Sequence, residues 1–482
     1  MNGADPSELA RQIADTRTAL NLVWISLCAF LVMFMQAGFA LVETGMTRAK
    51  NAAHTMGMNL IVYSIGILGY WSVGFALQMG GVGALSTLGG DARLSSEFVV
   101  EIAGRQWGLF GTTGFFLTPG VLTPAVAGLF LFQMMFMDTA ATIPTGALAE
   151  RWKFSSFMLF SVVVSTLIYP VYANWVWGGG WLSALGKNLG LGHGHVDFAG
   201  SSAVHMTGGV AALVGAQLLG PRVGKFSRDG TANAIPGHNI PLVVTGTFIL
   251  AFGWFGFNAG STLAGTDARI AVVATNTMLA SAAGALAACL YVWNRFGKPD
   301  VTMMCNGMLA GMVAVTAPCA FVSAPSAVLI GAVAGVLVVL AMVFVETRLR
   351  IDDPVGAIAV HGANGLWGVL AVGLFADGSY GADINGVPGT VRGALYGDSG
   401  QLVAQLVGAA SNIVYVGALS ALTFLGLRML VGNRVAREDE LAGLDVPEMG
   451  LEGYSADHDA TARSGSVGPD GRTTPRAITA VP

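Results

Sequence analysis

From about residue 20 to about residue 432 the chain alternates long apolar stretches with short polar breaks. The apolar stretches lie near 20–43, 56–79, 120–145, 154–176, 199–220, 240–260, 270–293, 302–317, 324–346, 355–376 and 401–431. A helix crosses about 30 Å of hydrocarbon in roughly 20 residues, so these read as eleven transmembrane helices. The eighth is short, and the count is good to one helix. The stretch WGLFGTTGFFLTP at 107–119 is apolar but too short to cross, and is expected to be re-entrant or interfacial. The pattern predicts an all-α membrane protein.

Composition supports one membrane domain at 19–432. The chain is 54% hydrophobic and 11% charged, against roughly a quarter charged in a soluble domain. Its 67 glycines among 482 residues are about twice the usual share, as membrane helices favour. A net charge of −4 gives no footing for a nucleic-acid partner. Cys28, Cys289, Cys305 and Cys319 fall in or beside apolar runs, so no disulfide framework is expected. Residues 1–18 are polar and mixed in charge, without the basic stretch of a cleaved signal peptide. Residues 433–459 form a polar C-terminal segment, and 460–482 (ATARSGSVGPDGRTTPRAITAVP) have the composition of a disordered tail.

Charge then orients the chain. The loops after helices 1, 3, 5, 7 and 9 hold eleven Lys/Arg: Arg48, Lys50, Arg151, Lys153, Arg222, Lys225, Arg228, Arg295, Lys298, Arg348 and Arg350. The other five loops are about twice as long in total and hold five. The positive-inside bias places the first set in the cytoplasm, the N-terminus outside and the C-terminus inside.

One phrase is written twice. Residues 197–209 read DFAGSSAVHMTGG and residues 353–365 read DPVGAIAVHGANG, identical at six of thirteen positions and 156 residues apart. Five helices separate the copies, an odd number, so the second copy is upside down in the membrane. Inverted repeats of this kind place substrate sites near the midplane. Asp197 and Asp353 are suited to N-capping their helices. Eight helical residues then carry His205 and His361 about 12 Å inward from opposite faces. In a layer of about 30 Å this leaves the imidazoles about 6 Å apart in depth. A capping aspartate needs no other role, which holds for Asp353 in particular. A single buried histidine is usually a hydrogen-bonded core residue, but two at related mid-membrane positions point to a pathway. Neutral imidazoles both donate and accept, so the pair can line a narrow path and pass a proton. Each acid lies about 12 Å from its histidine, too far to share a metal with bonds near 2 Å. The chain holds no HExxH and no GxSxG. The reading is a non-enzyme without cofactor or metal.

The stretches GWFGFNAGS (253–261), GALAERWKF (146–154), VWGGGW (176–181), DFAGSSAVH and DDPVGAIAVHG together resemble the ammonium transporter (Amt/Rh) family, in family order, across about residues 20–456. The resemblance implies an eleven-helix fold with a five-plus-five inverted repeat, a pore in each subunit and a homotrimer in the bacterial cytoplasmic membrane. It implies an ammonium recruitment site at Trp177, Ser261 and Phe132, with Asp197 shaping the vestibule from behind. It places a gate at Phe136 and Phe257 and a twin-histidine pore at His205 and His361. Standing alone, Trp177 would be an interfacial anchor and the phenylalanines simple core; only their motif positions raise them. The implied function is to recruit ammonium, deprotonate it, and pass NH₃ and a proton separately. Methylammonium is left open as a second substrate. An ammonium sensor with little conduction and an electroneutral NH₃ channel are the alternatives; Trp177 and Ser261 speak against the second, because a neutral gas has little use for a cation site.

Two departures matter. Asp138, two residues past Phe136, stands where the family pattern has a small neutral residue; it is expected to bond to a neighbouring helix backbone or else to perturb the pore. The segment REDELAGLDVPEMGLEGYSAD is similar to the family's cytoplasmic C-terminal segment, which contacts neighbouring subunits and, in many bacterial relatives, lies where a PII-type signal protein plugs the pore. Met449 stands there in place of a histidine, which bears on regulation more than on transport. No appended kinase or cyclase domain is expected after it. Glu150 and Arg151 are expected to pair, and Glu43 to satisfy backbone or trimer contacts.

Overall fold

The computed structural model describes residues 5–384 and 386–454; the expected disordered tail lies outside them. Among the described residues ten helices are long and apolar enough to cross a membrane, and the short eighth stretch is an apolar helix as well. In chain order they are α1 (Pro6–Met46), α2 (Ala49–Met79), α3 (Pro124–Leu148), α4 (Phe154–Trp177), α5 (Ser201–Leu219), α6 (Ile240–Ala259), α7 (Ile270–Phe296), α8 (Val301–Thr316), α9 (Ala324–Thr347), α10 (Ile358–Phe375) and α11 (Ser399–Leu430). Helix α1 begins well before residue 20: Asp5 caps it, Pro6 opens it, and polar exposed residues continue the helix beyond its apolar part. Three more spans start on the same chemistry. Thr123, Asn239 and Ser323 each accept a backbone N–H of the first turn, with a proline at one of the first two helical positions.

The two halves are interlocked. Helix α1 packs along α6, and α5 packs along α10, each pair joining equivalent positions of the five-plus-five repeat. Some 83% of the α3 core window and 78% of that of α5 is buried, against 22% for α11. So α3 and α5 form the centre, and α11 is a strap against α5 and α10. The outward leucines, valines and phenylalanines of α1, α7, α9 and α11 suit a lipid or subunit boundary rather than water.

The stretch 107–119 is not re-entrant. Its first five residues, 107–111, belong to an antiparallel hairpin, β1 (Glu97–Ile102) and β2 (Arg105–Gly111). The hairpin turns through Ala103 and Gly104, both at positive φ, as a two-residue loop requires. Its free edge is used: Trp175 Nε1 donates to the Leu109 carbonyl, Trp181 N to Gly108 and Asn188 Nδ2 to Gln106. An apolar strand needs a partner ladder, and that ladder comes from Glu97–Ile102, which hydropathy alone does not single out. We call this pole the hairpin end and the opposite one the basic end.

At the basic end a buried ion network ties the loops together. Arg222 forks onto Asp352 (Nε to Oδ2 2.8 Å, Nη2 to Oδ1 3.0 Å) and also reaches Glu150, which pairs with Arg48. Glu150 does not pair with Arg151. Sequence neighbours do not face each other, and Arg151 instead donates to the carbonyls of Ala149, Gly220 and Asp352. Two short helices, α12 (Arg437–Ala442) and α13 (Asp445–Met449), clasp loops of their own chain. Asp445 accepts from His54 N, Glu448 from Phe154 N and Glu440 from Val223 N.

Candidate functional site

At the hairpin end a cavity of about 500 Å³ is lined by Phe132, Phe136, Trp177, Asp197, Ser261 and His195, among others. Its shape is fixed by hydrogen bonds that use up donors and leave acceptors. The Trp177 indole N–H donates to the Asp197 carbonyl at 2.7 Å, holding the ring at the end of α4. Ser261 Oγ donates to the Phe257 carbonyl at 2.8 Å, so its lone pairs remain for a donor in the cavity.

Asp197 is saturated by its own chain. Its carboxylate accepts the backbone N–H groups of Gly200, Ser201, Ser202 and Ala203 and the Ser202 hydroxyl, at 2.6–3.0 Å. It thus positions the start of α5 and lends the cavity wall a negative charge. Asp353 does the same at the basic end, accepting from Val355, Gly356 and Ile358. Each cap closes through a glycine at the same repeat position, Gly200 at φ 117° and Gly356 at φ 79°, a conformation side chains rarely adopt. Each histidine then sits in a π-helical turn, Ser201–Met206 and Ile358–Ala363. Such turns widen a helix locally and gather at functional sites.

From the cavity a row of rings leads inward. Trp177 meets Phe136 edge-on at 6.0 Å, and Phe136 stacks on Phe257 at 4.1 Å and 18°. Phe257 stacks on His205 at 5.4 Å, His205 lies 5.2 Å from His361, and His361 lies 6.1 Å from Phe39. His205 Nδ1 and His361 Nδ1 are 3.2 Å apart, so one proton lies between them. This approach needs Gly209: a Cβ there would stand 2.3 Å from Gly362 N where α5 crosses α10. Phe136, Phe257 and His205 are all shut off from solvent, and His205 Nε2 has no hydrogen-bond partner among the described residues.

The structure thus brings Phe132, Phe136, Trp177, Asp197 and Ser261 to one cavity, with Phe257, His205 and His361 in a line beneath it. Asp353 lies apart at the basic end. Asp138 is placed otherwise than expected. It is buried in α3, its Oδ1 has no hydrogen-bond partner among the described residues, and it faces Gly66 of α2 rather than the ring row. Phe136 lines the cavity, and a residue two further along an α-helix points nearly the opposite way.

Five neighbours join the site that sequence patterns do not assign to it. Trp254 stacks on His205 at 5.4 Å while its N–H donates to Thr316. Ser202 links Asp197 to His195, whose Nε2 is 2.9 Å away. Burial pushes His195 down to about 4, against the pull of Asp197, so it stays neutral near pH 7. Phe39 and Glu43, one helical turn apart on α1, lie near His361. Ser202 lies inside the repeated phrase and His195 two residues before it, Trp254 falls within GWFGFNAGS, and Glu43 reads only as a helix-end acid; Phe39 carries no signal. Among the described residues no group of three or more His, Cys, Asp or Glu is placed to hold a metal.

Fold and site together define a membrane transporter of the Amt class. The chain matches the Ammonium Transporter Family over residues 23–454 and belongs to it. It is 46% identical to the ammonium transporter Amt2 of Archaeoglobus fulgidus over 94% of this chain and 92% of that one. It is 37% identical to the ammonium transporter Amt1 of Haloferax mediterranei over 93% and 81%. Among solved structures it resembles a sensor Amt protein (TM-score 0.77, 35% identity, 90% and 99% covered). It also resembles Mep2 of Candida albicans (TM-score 0.74, 28% identity, 92% of both chains).

Proposed function

We propose that the chain conducts ammonium across the cytoplasmic membrane of a bacterium, as a homotrimer with one pore per subunit. Ammonium is recruited from outside at the hairpin end, gives up its proton, and crosses the dry section as NH₃ while the proton moves separately. The carrying observation is the unbroken row from the Trp177 cavity through Phe136 and Phe257 to the hydrogen-bonded histidines. An aromatic face attracts a cation by roughly 0.5–2 kcal/mol, and the Ser261 oxygen accepts a hydrogen bond that potassium cannot donate. A bare ion meeting stacked phenylalanines with no counter-charge loses its hydration without compensation. A substrate able to leave its proton behind avoids that loss. The charge bias of the loops supports an outer hairpin end and a cytoplasmic C-terminus. The C-terminal clasp is the surface a PII-type protein would meet.

A second reading is favoured by the likeness to a sensor Amt protein: binding at the vestibule with little conduction. Liposomes holding the purified protein separate the two. An ammonium jump that evokes a current, with none from a potassium jump, is the expected result. Absence of current with ammonium binding retained would overturn conduction in favour of sensing, and uptake without current would indicate a neutral NH₃ channel.

A further inference from the structure

Past the histidines, toward the basic end, lies a cavity of about 20 Å³ lined by Phe39, Glu43, Asn306, Val355, Val360 and His361, among others. That is room for one water, which needs about 10–15 Å³ and polar partners. The partners are present. His361 uses Nδ1 toward His205, which leaves its Nε2 for a partner in the cavity that it lines. Asn306 commits its side-chain N–H₂ to the Val355 carbonyl and Met342. The other ionisable residue of the lining is Glu43, buried on α1.

The surroundings of Glu43 suit a group that changes its protonation. Asn59 Nδ2 donates to Oε2 at 2.7 Å. Thr145 Oγ1 lies 2.7 Å from both carboxyl oxygens and 2.6 Å from the Thr142 carbonyl. A hydroxyl has one proton and two lone pairs. With Glu43 ionised, Thr145 donates to it; with Glu43 protonated, the acid donates to Thr145, which turns its own proton to Thr142. A purely structural carboxylate needs no such two-way partner, and ionisable groups at membrane depth tend to mark proton routes.

We infer that Glu43 is the inner proton station of the pore, exchanging a proton with His361 through a single water in the cavity they share. This rests on the conduction reading above. His361 Nε2–H gives its proton to the water as the water gives one of its own to the Glu43 carboxylate. One N–H bond breaks, one O–H bond forms, and the water is regenerated. His361 is refilled at Nδ1 by the Nδ1–H of His205, and His205 takes at Nε2 the proton that ammonium gives up, so one N–H bond forms on each ring for each one broken. NH₃ arriving past the histidines then takes the proton from Glu43, breaking that O–H bond and re-forming ammonium on the inner side. Glu43 thereby separates the end of the proton lane from the histidines themselves.

The test compares wild type, Glu43→Gln and Glu43→Asp in the same liposomes, reading ammonium-evoked current and the thermal shift that ammonium induces. Glu43→Gln keeps the acceptor for Asn59 but cannot take a proton. The expected result is a current at least tenfold lower with the thermal shift intact, partly restored in Glu43→Asp. Wild-type current from Glu43→Gln would overturn the inference and leave conduction standing; absence of current from wild type would remove both. Should Glu43→Gln fail to fold, Thr145→Val keeps the carboxyl but removes its two-way partner. A several-fold loss of current with the thermal shift intact is expected there, and unchanged current overturns the inference.

Discussion

Gly209→Ala tests whether the closeness of the two histidines is set by the helix crossing beneath them. A methyl group at 209 would stand 2.3 Å from Gly362 N, 2.5 Å from Gly362 Cα and 2.9 Å from the His361 carbonyl carbon. All three are backbone atoms, so no side chain can swing aside. Comfortable contact begins near 3.5 Å, so α5 and α10 must part by about 1 Å at this level. His361 is next to the contact, and its Nδ1···Nδ1 distance of 3.2 Å would open to about 4 Å, past hydrogen-bonding range. Overpacking costs about 1–3 kcal/mol and the lost hydrogen bond about 0.5–1.5 kcal/mol. The helix preference of alanine over glycine returns about 1 kcal/mol. The sum is about 0.5–3.5 kcal/mol, small enough for the variant to fold. Gly426→Ala on α11, where a Cβ meets nothing within 4 Å, is the control and keeps only the helix gain. Reconstituted Gly209→Ala is expected to lose at least tenfold in ammonium-evoked current with a modest drop in Tm, while Gly426→Ala matches wild type in current. Wild-type current and wild-type Tm in Gly209→Ala would refute the link between crossing and pore.

Three further variants probe other parts of the chain. Ser261→Ala removes the hydroxyl acceptor of the vestibule, worth about 0.5–1.5 kcal/mol; half-saturation for ammonium should rise roughly two- to tenfold with the maximal current kept, and an unchanged value would take Ser261 out of recruitment. Asp352→Asn strips the fork from buried Arg222, a loss of about 3–5 kcal/mol; Tm in detergent should fall sharply, and an unaltered Tm would show the network to be ornamental. His195→Gln addresses acid stability. The folded value of about 4 lies below the usual imidazole value, so between roughly pH 6.5 and 4 the unfolded chain binds a proton that the folded one refuses. Stability conferred by neutral His195 is full above that window and is lost as pH falls through it, by up to about 1.4 kcal/mol per pH unit. Thermal unfolding against pH should be shallower in His195→Gln by that amount, and parallel curves would contradict the burial argument.

The helices were legible because hydrocarbon crossing imposes length and composition together, and even the short Val301–Thr316 stood out. The repeated phrase exposed His205 and His361 because duplication fixes two depths at once. The hairpin was not legible: Glu97–Ile102 is short and charged at intervals, and a strand is recognised only with its partner. The π-helical turns were hidden for a related reason, since a single shifted hydrogen bond leaves no trace in hydrophobic period. Asp138 could be seen as anomalous but not placed, because its direction depends on the rotation of α3 against α2. Glu43 read as a helix-end acid, and only the fold shows that one turn of α1 carries it beside the cavity under His361.

The single proton between the two Nδ1 atoms has a kinetic consequence. With both rings neutral, one carries its hydrogen on Nδ1 and the other on Nε2, so the pair has a direction. A proton entering one end and leaving at the other reverses both tautomers. A relay that has just fired therefore faces the wrong way, and it must be turned back before it can fire again. His205 is buried against Trp254 and Phe257, which meet each other at 5.8 Å, and lies 5.2 Å from His361; close packing of this kind leaves little freedom for its ring to flip. Rearming must then come from hydrogen exchange with whatever molecule stands beside it, and turnover would be set by the refractory interval of the pair as much as by the passage of NH₃.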